Sequence, residues 1–474
     1  MKRKMFFDFA TRQQTGMPAG ANPKRRVIQA MTVVMILCFC GSRGSIAGQA
    51  GNEIRLPLAE CIERGLRNNP DLKRANEDIA LAKARLDERQ SERLPGVSLR
   101  VNYSRLSEID PFQVTLPIPL LPQKTITIAP VIPHYYGAMA QIQQPLYTGH
   151  RISAGIQSAD LQQKIALLGD VRMRQGIICG ITVLYWRLAG AIKNLDVIKE
   201  TVVQMEAHLK EVKNMAVQGL ATQYDILRSE TRLAQVQAAE ATAQKMVQSA
   251  RLTLNIMMGE SSQQVVIPSE SPELPSGEIR PLEKYITTAL SQRVDLHISD
   301  YLIRISALGS IIARSGNLPA VYLIGNYDYS NPNRRIQPPK NEWNGTWDIG
   351  IALQLNVWDW GKTKSQVEQA NINLRKTEID RSKTQDAIIA DVTESYTALT
   401  ETFTRLNAAQ RATASSEENL RQTQMLFKQG MATSTMLLDA EQDWLKSQTD
   451  LATAQMDYLI ARAGLLFATG VDKF

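Results

Sequence analysis

A mainly α chain with strands of the membrane β-barrel kind, built as a tandem-duplicated unit, is the fold class that three observations predict. Residues recur in pairs at two fixed displacements. Four segments alternate apolar and polar side chains with period two, and two very long stretches contain no proline.

The duplication comes first, because a repeat decides how every later segment is read. Leu58 to Leu72 (LAECIERGLRNNPDL) matches Leu282 to Leu296 (LEKYITTALSQRVDL) at a displacement of 224, which also takes Leu94-Pro95 to Leu318-Pro319 and Asn102-Tyr103 to Asn326-Tyr327. Further on, Tyr185 matches Tyr396, Gln218-Gly219 matches Gln429-Gly430, Ala221-Thr222 matches Ala432-Thr433 and Gly259 matches Gly470, all at 211. The second copy is therefore 13 residues shorter between Tyr103 and Pro145. That loss falls on Asp110 to Pro133, proline-rich and apolar, whose counterpart around Asn331 to Lys340 is short and polar. A length change confined to one place marks an exposed loop. The resulting organisation is a leader over 1–50, a first repeat over 51–259, a linker over 260–281, a second repeat over 282–470 and a tail over 471–474.

Strands flank each loop, at about 94–106 and 135–147 in the first copy and 320–330 and 343–358 in the second. Val97, Leu99 and Val101 alternate with Ser98, Arg100 and Asn102; Trp343, Trp347, Ile349, Ile351 and Leu353 form the apolar series of the last strand. One apolar and one polar face, with Tyr and Trp near the ends, is the lipid-facing pattern of outer-membrane barrels. Four strands cannot close such a barrel, whose minimum is about eight, and an open edge in lipid leaves backbone groups unpaired. If the strands span a membrane, the chain must oligomerise: two copies give eight strands, three give twelve.

Helices account for most of the remainder. With no proline between Pro145 and Pro268 or after Pro339, long helices are expected over 152–218 and 362–429, with return helices over 222–258 and 433–468. A helix over 152–218 would run about 100 Å at ~1.5 Å per residue. Heptad seams follow Val202, Met205, Leu209, Val212 and Ala216 in one helix, and Leu437, Ala440, Trp444, Ser447, Leu451, Ala454 and Tyr458 in another. Each long helix stops at a short turn, Gly219-Leu220-Ala221-Thr222 or Gly430-Met431-Ala432-Thr433, with Gly as the stop and Thr as the next N-cap. Thr222 and Asp225 have the spacing of a capping pair. The first long helix holds Gly155, Gly169, Gly176, Gly180 and Gly190 where its partner holds none, so close approach of a neighbour or a bend is expected there.

The net charge of +7 would suggest a nucleic-acid partner, but residues 1–50 carry eight basic groups and one acidic, leaving 46 of each sign in the rest. No nucleic acid is expected. Lys24-Arg25-Arg26, the apolar run from Val27 through Cys40 and the small residues near Ala47 read as an export signal, the run being shorter than the roughly 20 residues of a spanning helix. Cys38 and Cys40 would leave with it, and Cys61 and Cys179 read as buried free thiols.

An ordered unit of short helix, strand, loop, strand, long helix, Gly turn and return helix, present twice, resembles the TolC-like outer-membrane factors over nearly all of residues 51–474. The "NP.L" ending of Leu58 to Leu72, the junctions Gln144-Pro145-Leu146-Tyr147 and Val357-Trp358-Asp359-Trp360-Gly361, and the tip Phe427 to Ala440 are similar to that family's. The resemblance implies a homotrimer with a 12-stranded β-barrel in outer-membrane lipid, a 12-helix α-barrel tunnel in the periplasm and an equatorial collar. It implies the channel component of a tripartite efflux or type I secretion system, with a periplasmic adaptor (membrane fusion) protein and, through it, an inner-membrane transporter of RND or ABC type. No cofactor is implied. Residue by residue, Asp439 falls on an acidic position of the family's constriction and Met436 where a second acid stands. Phe427 and Ala432 fall on positions of a polar latch, and Asp225 on its acidic partner. The turns at Gly219–Thr222 and Gly430–Thr433 fall on the adaptor-docking tips.

Two other classes fit less well. An enzyme finds no catalytic constellation: His134, His150, His208 and His297 are scattered without metal-ligand spacing, and no phosphate loop or nucleophile elbow occurs. A trimeric coiled-coil surface or adhesive protein without transport would share the heptads, but has no need of two strand pairs with apolar outward faces.

Overall fold

The computed structural model describes residues 53–116, 124–129, 131–270 and 279–471. The leader over 1–50, with Cys38 and Cys40, lies outside the described residues, as do parts of the first loop, the linker and the tail.

In chain order the elements are β1 (Glu53–Leu56), α1 (Leu58–Asn68), α2 (Pro70–Ser91), β2 (Gly96–Arg105), β3 (Phe112–Leu116), β4 (Lys124–Ala129), β5 (His134–Thr148), α3 (Arg151–Val217), α4 (Gln223–Met258) and β6 (Val265–Pro268). There follow α5 (Leu282–Gln292), α6 (Val294–Arg314), a short 3-10 turn, β7 (Ala320–Asn331), β8 (Asn344–Gln354), α7 (Lys362–Lys428) and α8 (Ser434–Thr469). The expected last strand over 343–358 is shorter than its alternation suggests. It stops at Gln354, and Trp358 and Trp360 project from the loop beyond it. The long loop holds its own hairpin, β3 against β4, which the proline-rich sequence does not announce by period-two alternation.

Four strands form one antiparallel sheet in the order β2-β5-β7-β8. Its register puts Val97, Ile142, Gly325 and Ile349 in one row, Leu99, Ala140, Tyr327 and Trp347 in the next. Directly paired residues share a face. The alternations of all four strands are thus in phase, and a single apolar face runs across the sheet.

At the sheet-to-helix junctions both copies use the same device: Gly149 and His150 take left-handed φ of 60° and 68°, Trp360 and Gly361 φ of 55° and 81°. Asp359 then caps α7, accepting from Thr363 N–H at 2.8 Å and Gly361 N–H at 3.0 Å. From there each 67-residue helix, α3 or α7, extends about 100 Å at ~1.5 Å per residue before turning back.

The largest apolar core lies part-way along the long helices, where the short helices wrap them. Leu56, Cys61, Ile181, Tyr185, Leu254 and Val392 meet there, almost wholly buried. The buried Tyr185 hydroxyl donates to Leu56 O at 3.1 Å and accepts from Glu270 N–H at 3.2 Å, tying the parallel pair β1–β6 to α3. Cys61 and Cys179 are free, and burial pushes the Cys61 thiol up to about 12.

Of the five glycines in α3, two permit close approach: a Cβ at Gly180 would lie 2.5 Å from Met257 Cε, and one at Gly190 2.6 Å from Met456 Cγ. Gly155, Gly169 and Gly176 have no described atom within 4 Å of a Cβ, so nothing in the chain itself closes on them.

Gly259 and Gly470, 211 apart, end the return helices α4 and α8 with φ of 69° and 73°. A Cβ at Gly259 would lie 2.7 Å from Asn68 O, a backbone atom that cannot swing aside. Gly259→Ala should therefore cost more than the ~1 kcal/mol of left-handed strain alone, read as a lowered denaturation midpoint. An unchanged midpoint would mean that the α1–α4 junction is not rigid.

Candidate functional site at the tips and the strand face

At the far ends of the long helices the chain turns by Schellman motifs. Leu220 N–H bonds Met215 O at 2.9 Å and Gly219 N–H bonds Ala216 O at 3.0 Å; Met431 N–H bonds Leu426 O and Gly430 N–H bonds Phe427 O, both at 2.9 Å. Gly219 and Gly430 have φ of 73° and 72° with nothing near a Cβ. Around them Val217, Leu220 and Met431 stand exposed, while Ala221 and Ala432 are half-buried. Thr222 and Thr433 cap the return helices through Asp225 N–H and Met436 N–H, each at 3.3 Å. Only the first cap is a full capping box. Asp225 accepts from Thr222 N–H at 2.9 Å and from its hydroxyl at 2.6 Å, and those bonds hold its carboxyl below the usual range.

The expected constriction residues divide. Asp439 and Met436 are exposed, Asp439 with an ion pair to Arg228 at 3.6 Å. Arg228 also donates to Thr435 Oγ1 at 2.9 Å, so one guanidinium of the first hairpin holds the return helix of the second. An exposed pair of this length contributes at most about 1 kcal/mol. Phe427 differs from them: within the chain it is buried among Leu420, Leu437, Ala440 and Trp444, inside the α7/α8 hairpin. Its ring meets the buried His208 of α3 at 5.7 Å between centroids.

Two buried titratable groups at this inter-hairpin contact escape the heptad reading. His208, and not Leu209, occupies the buried seam with Thr201, Met205 and Val212; its Nε2 lies 3.3 Å from Ser434 Oγ while Nδ1 has no partner. Burial lowers its pKa below 6.5. Glu441, one turn beyond Leu438 and one before Leu445, shares the α8 face that packs with Ile198, Met205 and Val236. Only 4% exposed, with Oε2 unpartnered, its carboxyl is pushed up to about 7 by burial, the charge of Arg232 opposing. A hydrophobic-periodicity scan reads a Glu as an outward position, so only its placement between two leucines on one face could have flagged it.

At the opposite end, the lipid-facing candidates fall on the common apolar face of the sheet. Val97, Leu99, Val101, Trp347, Ile349, Ile351 and Leu353 are all about two-thirds to three-quarters exposed. Trp343 lies just outside β8 but stacks on Tyr329 at 5.0 Å and against Tyr136 at 6.0 Å, with Tyr103 beyond at 5.1 Å from Tyr136. This aromatic row edges the loop end. Tyr147, Trp358 and Trp360 edge the helix end, with the two indoles 5.7 Å apart. The opposite face carries Arg100, Asn102, Gln141, Asn326, Asp328 and Asp348.

The raised Glu441 pKa has a definite sign. It lies above the ordinary 4.5, so the native state binds the extra proton and the contribution to stability is lost as pH rises from 4.5 through 7. His208 acts oppositely, its contribution being present above 6.5 and lost as pH falls below that value. Glu441→Gln should raise stability at pH 8 by up to about 3 kcal/mol, a tenfold change in proton affinity being worth ~1.4 kcal/mol. The pH profile of its denaturation midpoint should keep only the His208 slope. A variant no more stable than the parent at pH 8 would refute the assignment.

Residues 61–260 and 305–471 match the family model described as outer membrane efflux protein. The chain is 22% identical over 317 residues to the outer membrane protein TolC of Vibrio cholerae, covering 66% of this chain and 72% of that protein. It is 23% identical over 357 residues to the alkaline protease secretion protein AprF of Pseudomonas aeruginosa, covering 71% and 70%. The fold is shared with the CmeC outer membrane channel of Campylobacter jejuni at a TM-score of 0.73 and 16% identity, covering 87% of this chain and 85% of that one. With more than half of its length matched in both copies of the repeat, the chain belongs to the outer membrane efflux protein family.

Proposed function

We propose that this outer-membrane protein is the channel component of a tripartite export assembly, a homotrimer that conducts solutes passively from a periplasmic adaptor and inner-membrane pump to the exterior. One observation carries the reading: a four-stranded sheet with one continuous apolar face between two aromatic edges, and with β2 and β8 each unpaired on one side among the described residues. From Tyr136 to Tyr147 along β5, eleven steps of ~3.4 Å at a tilt of about 40° give a height of about 28 Å. That agrees with the roughly 25 Å apolar band of outer-membrane barrels.

Three copies are favoured over two on volume. An eight-stranded barrel is filled by its own side chains, whereas twelve strands leave a lumen. Leu167, Val171 and Met173 on α3, with Leu302 and Ile311 on α6, are exposed in the single chain, and neighbouring copies would cover them. In that assembly α3, α4, α7 and α8 of three chains wall a tunnel of twelve helices.

The tips support docking to an adaptor. Exposed Val217, Leu220 and Met431 beside Gly219 and Gly430, each with open space around it, offer an apolar surface that helical hairpins can approach closely. A pump of RND or ABC type would lie behind the adaptor. The relative AprF is named for secretion of a protease, so a polypeptide cargo stands beside small solutes. Asp439 would narrow the tunnel with Met436 beside it, and the Arg228 pair would have to part on opening.

Purified in detergent, the protein should run as a trimer and conduct ions in planar bilayers. A stable, water-soluble, non-conducting monomer would sink the reading. Gly430→Trp should abolish export in cells while the trimer persists, and loss of the trimer would instead assign the turn a structural role.

A further inference from the structure

The short loop between β7 and β8 is not extended away from the sheet. Three separate contacts fold it over the polar face. Asn333, 1% exposed, donates to Thr346 Oγ1 at 3.2 Å and to Asn344 O at 3.0 Å, while accepting Arg335 N–H at 2.9 Å. Arg334 lays its guanidinium 4.5 Å from the ring centre of Tyr135, which points to the same face as Ser104 and Asn102. Arg335 pairs with Asp348 at 3.2 Å and donates to Trp347 O at 2.8 Å.

The charges are unequally satisfied. Asp348 is engaged by Arg335 and by Asn326 Nδ2 at 2.9 Å, so this pair cancels and serves as the anchor. Asp328 accepts from Ser330 Oγ at 2.9 Å. Among the described residues no ion pair forms at Arg334, or at Arg100 further along the same face. Arg334 stays exposed while Tyr135 beneath it is 9% exposed, an arrangement that holds the cation out over the face by stacking and not by a carboxylate.

We propose that residues 331–342 form an inward-folded constriction at the exit of the pore, in which Arg334 makes the mouth favour anionic solutes. The inference rests on the channel reading, because the polar face becomes a lumen only when the sheet closes into a barrel. Closure by three copies then brings three unpaired Arg334 side chains to one ring at the end farthest from the helices. Arg335 and Tyr135 are positioning residues: one ties the loop down, the other orients the guanidinium. A low-dielectric wall focuses the field of such a ring onto passing ions.

The test is the reversal potential of the purified oligomer in planar bilayers under a KCl gradient, for the parent and for Arg334→Lys, Arg334→Gln and Arg334→Glu. The chloride-to-potassium permeability ratio should stay at the parental value in the Lys variant and fall several-fold through Gln to Glu. Arg335→Ala, which frees the loop, should raise the single-channel conductance. Equal ratios in parent, Gln and Glu overturn the proposal, as does an unchanged conductance on freeing the loop. The tip residues are common to all variants, so the differences report the exit alone. If Arg334→Glu loses the oligomer, the Lys and Gln pair decides. A parent that conducts no ions sinks the channel reading instead, and this inference with it.

Discussion

The whole structure turns on backbone hydrogen bonds left open at the two edges of one sheet. β2 and β8 are edge strands of one sheet, and on its outer side each presents a row of N–H and C=O groups that no strand among the described residues pairs with. In hydrocarbon such groups cost several kcal/mol apiece, so a sheet with an apolar face at both ends of its register is stable there only as part of a closed ring. The long helices carry exposed apolar side chains that neighbouring copies would cover in the proposed assembly, and the core around Tyr185 ties the β1–β6 pair and the short helices to them.

The second governing contact is that between the two helical hairpins. It mixes apolar packing at Met205, Val236 and Leu438 with groups that have poor partners, namely Glu441 and His208. An interface made only of leucines would hold more firmly. Here a carboxyl lacking a partner for one oxygen and an imidazole lacking one for Nδ1 lower the cost of separating the hairpins, since each gains hydration on exposure. The Arg228–Asp439 pair at the rim adds little energy but sets which side chains must part.

Much of this is legible in the residues. The repeat at displacements 224 and 211 fixes corresponding devices in both copies, as the left-handed junctions at Gly149-His150 and Trp360-Gly361 show. Alternation locates the apolar face because period two maps directly onto one side of a sheet. Three features are illegible for physical reasons. β8 ends at Gln354 because the junction loop needs Trp358 to Gly361 for its turn, although the apolar series runs on to Val357. Homologous position places Phe427 in the tip but says nothing of direction; burial by Trp444 and Leu437 decides that. Leu209 and His208 are adjacent, and the 3.6-residue period cannot tell which of two neighbours faces inward when one is polar.

The 13-residue difference between the copies has a consequence for whatever reaches the cell from outside. If three copies close the barrel as proposed, long and short loops would alternate around a threefold rim, so the wall would have near-sixfold regularity while its crown would not. The long loop raises a hairpin with Phe112, Ile126 and Ile128 exposed on it; the short one folds Arg334 and Arg335 over the polar face of the sheet. An external ligand would thus meet three greasy posts between three cationic recesses. One with matching threefold spacing could engage all posts at once, gaining avidity that no single post supplies.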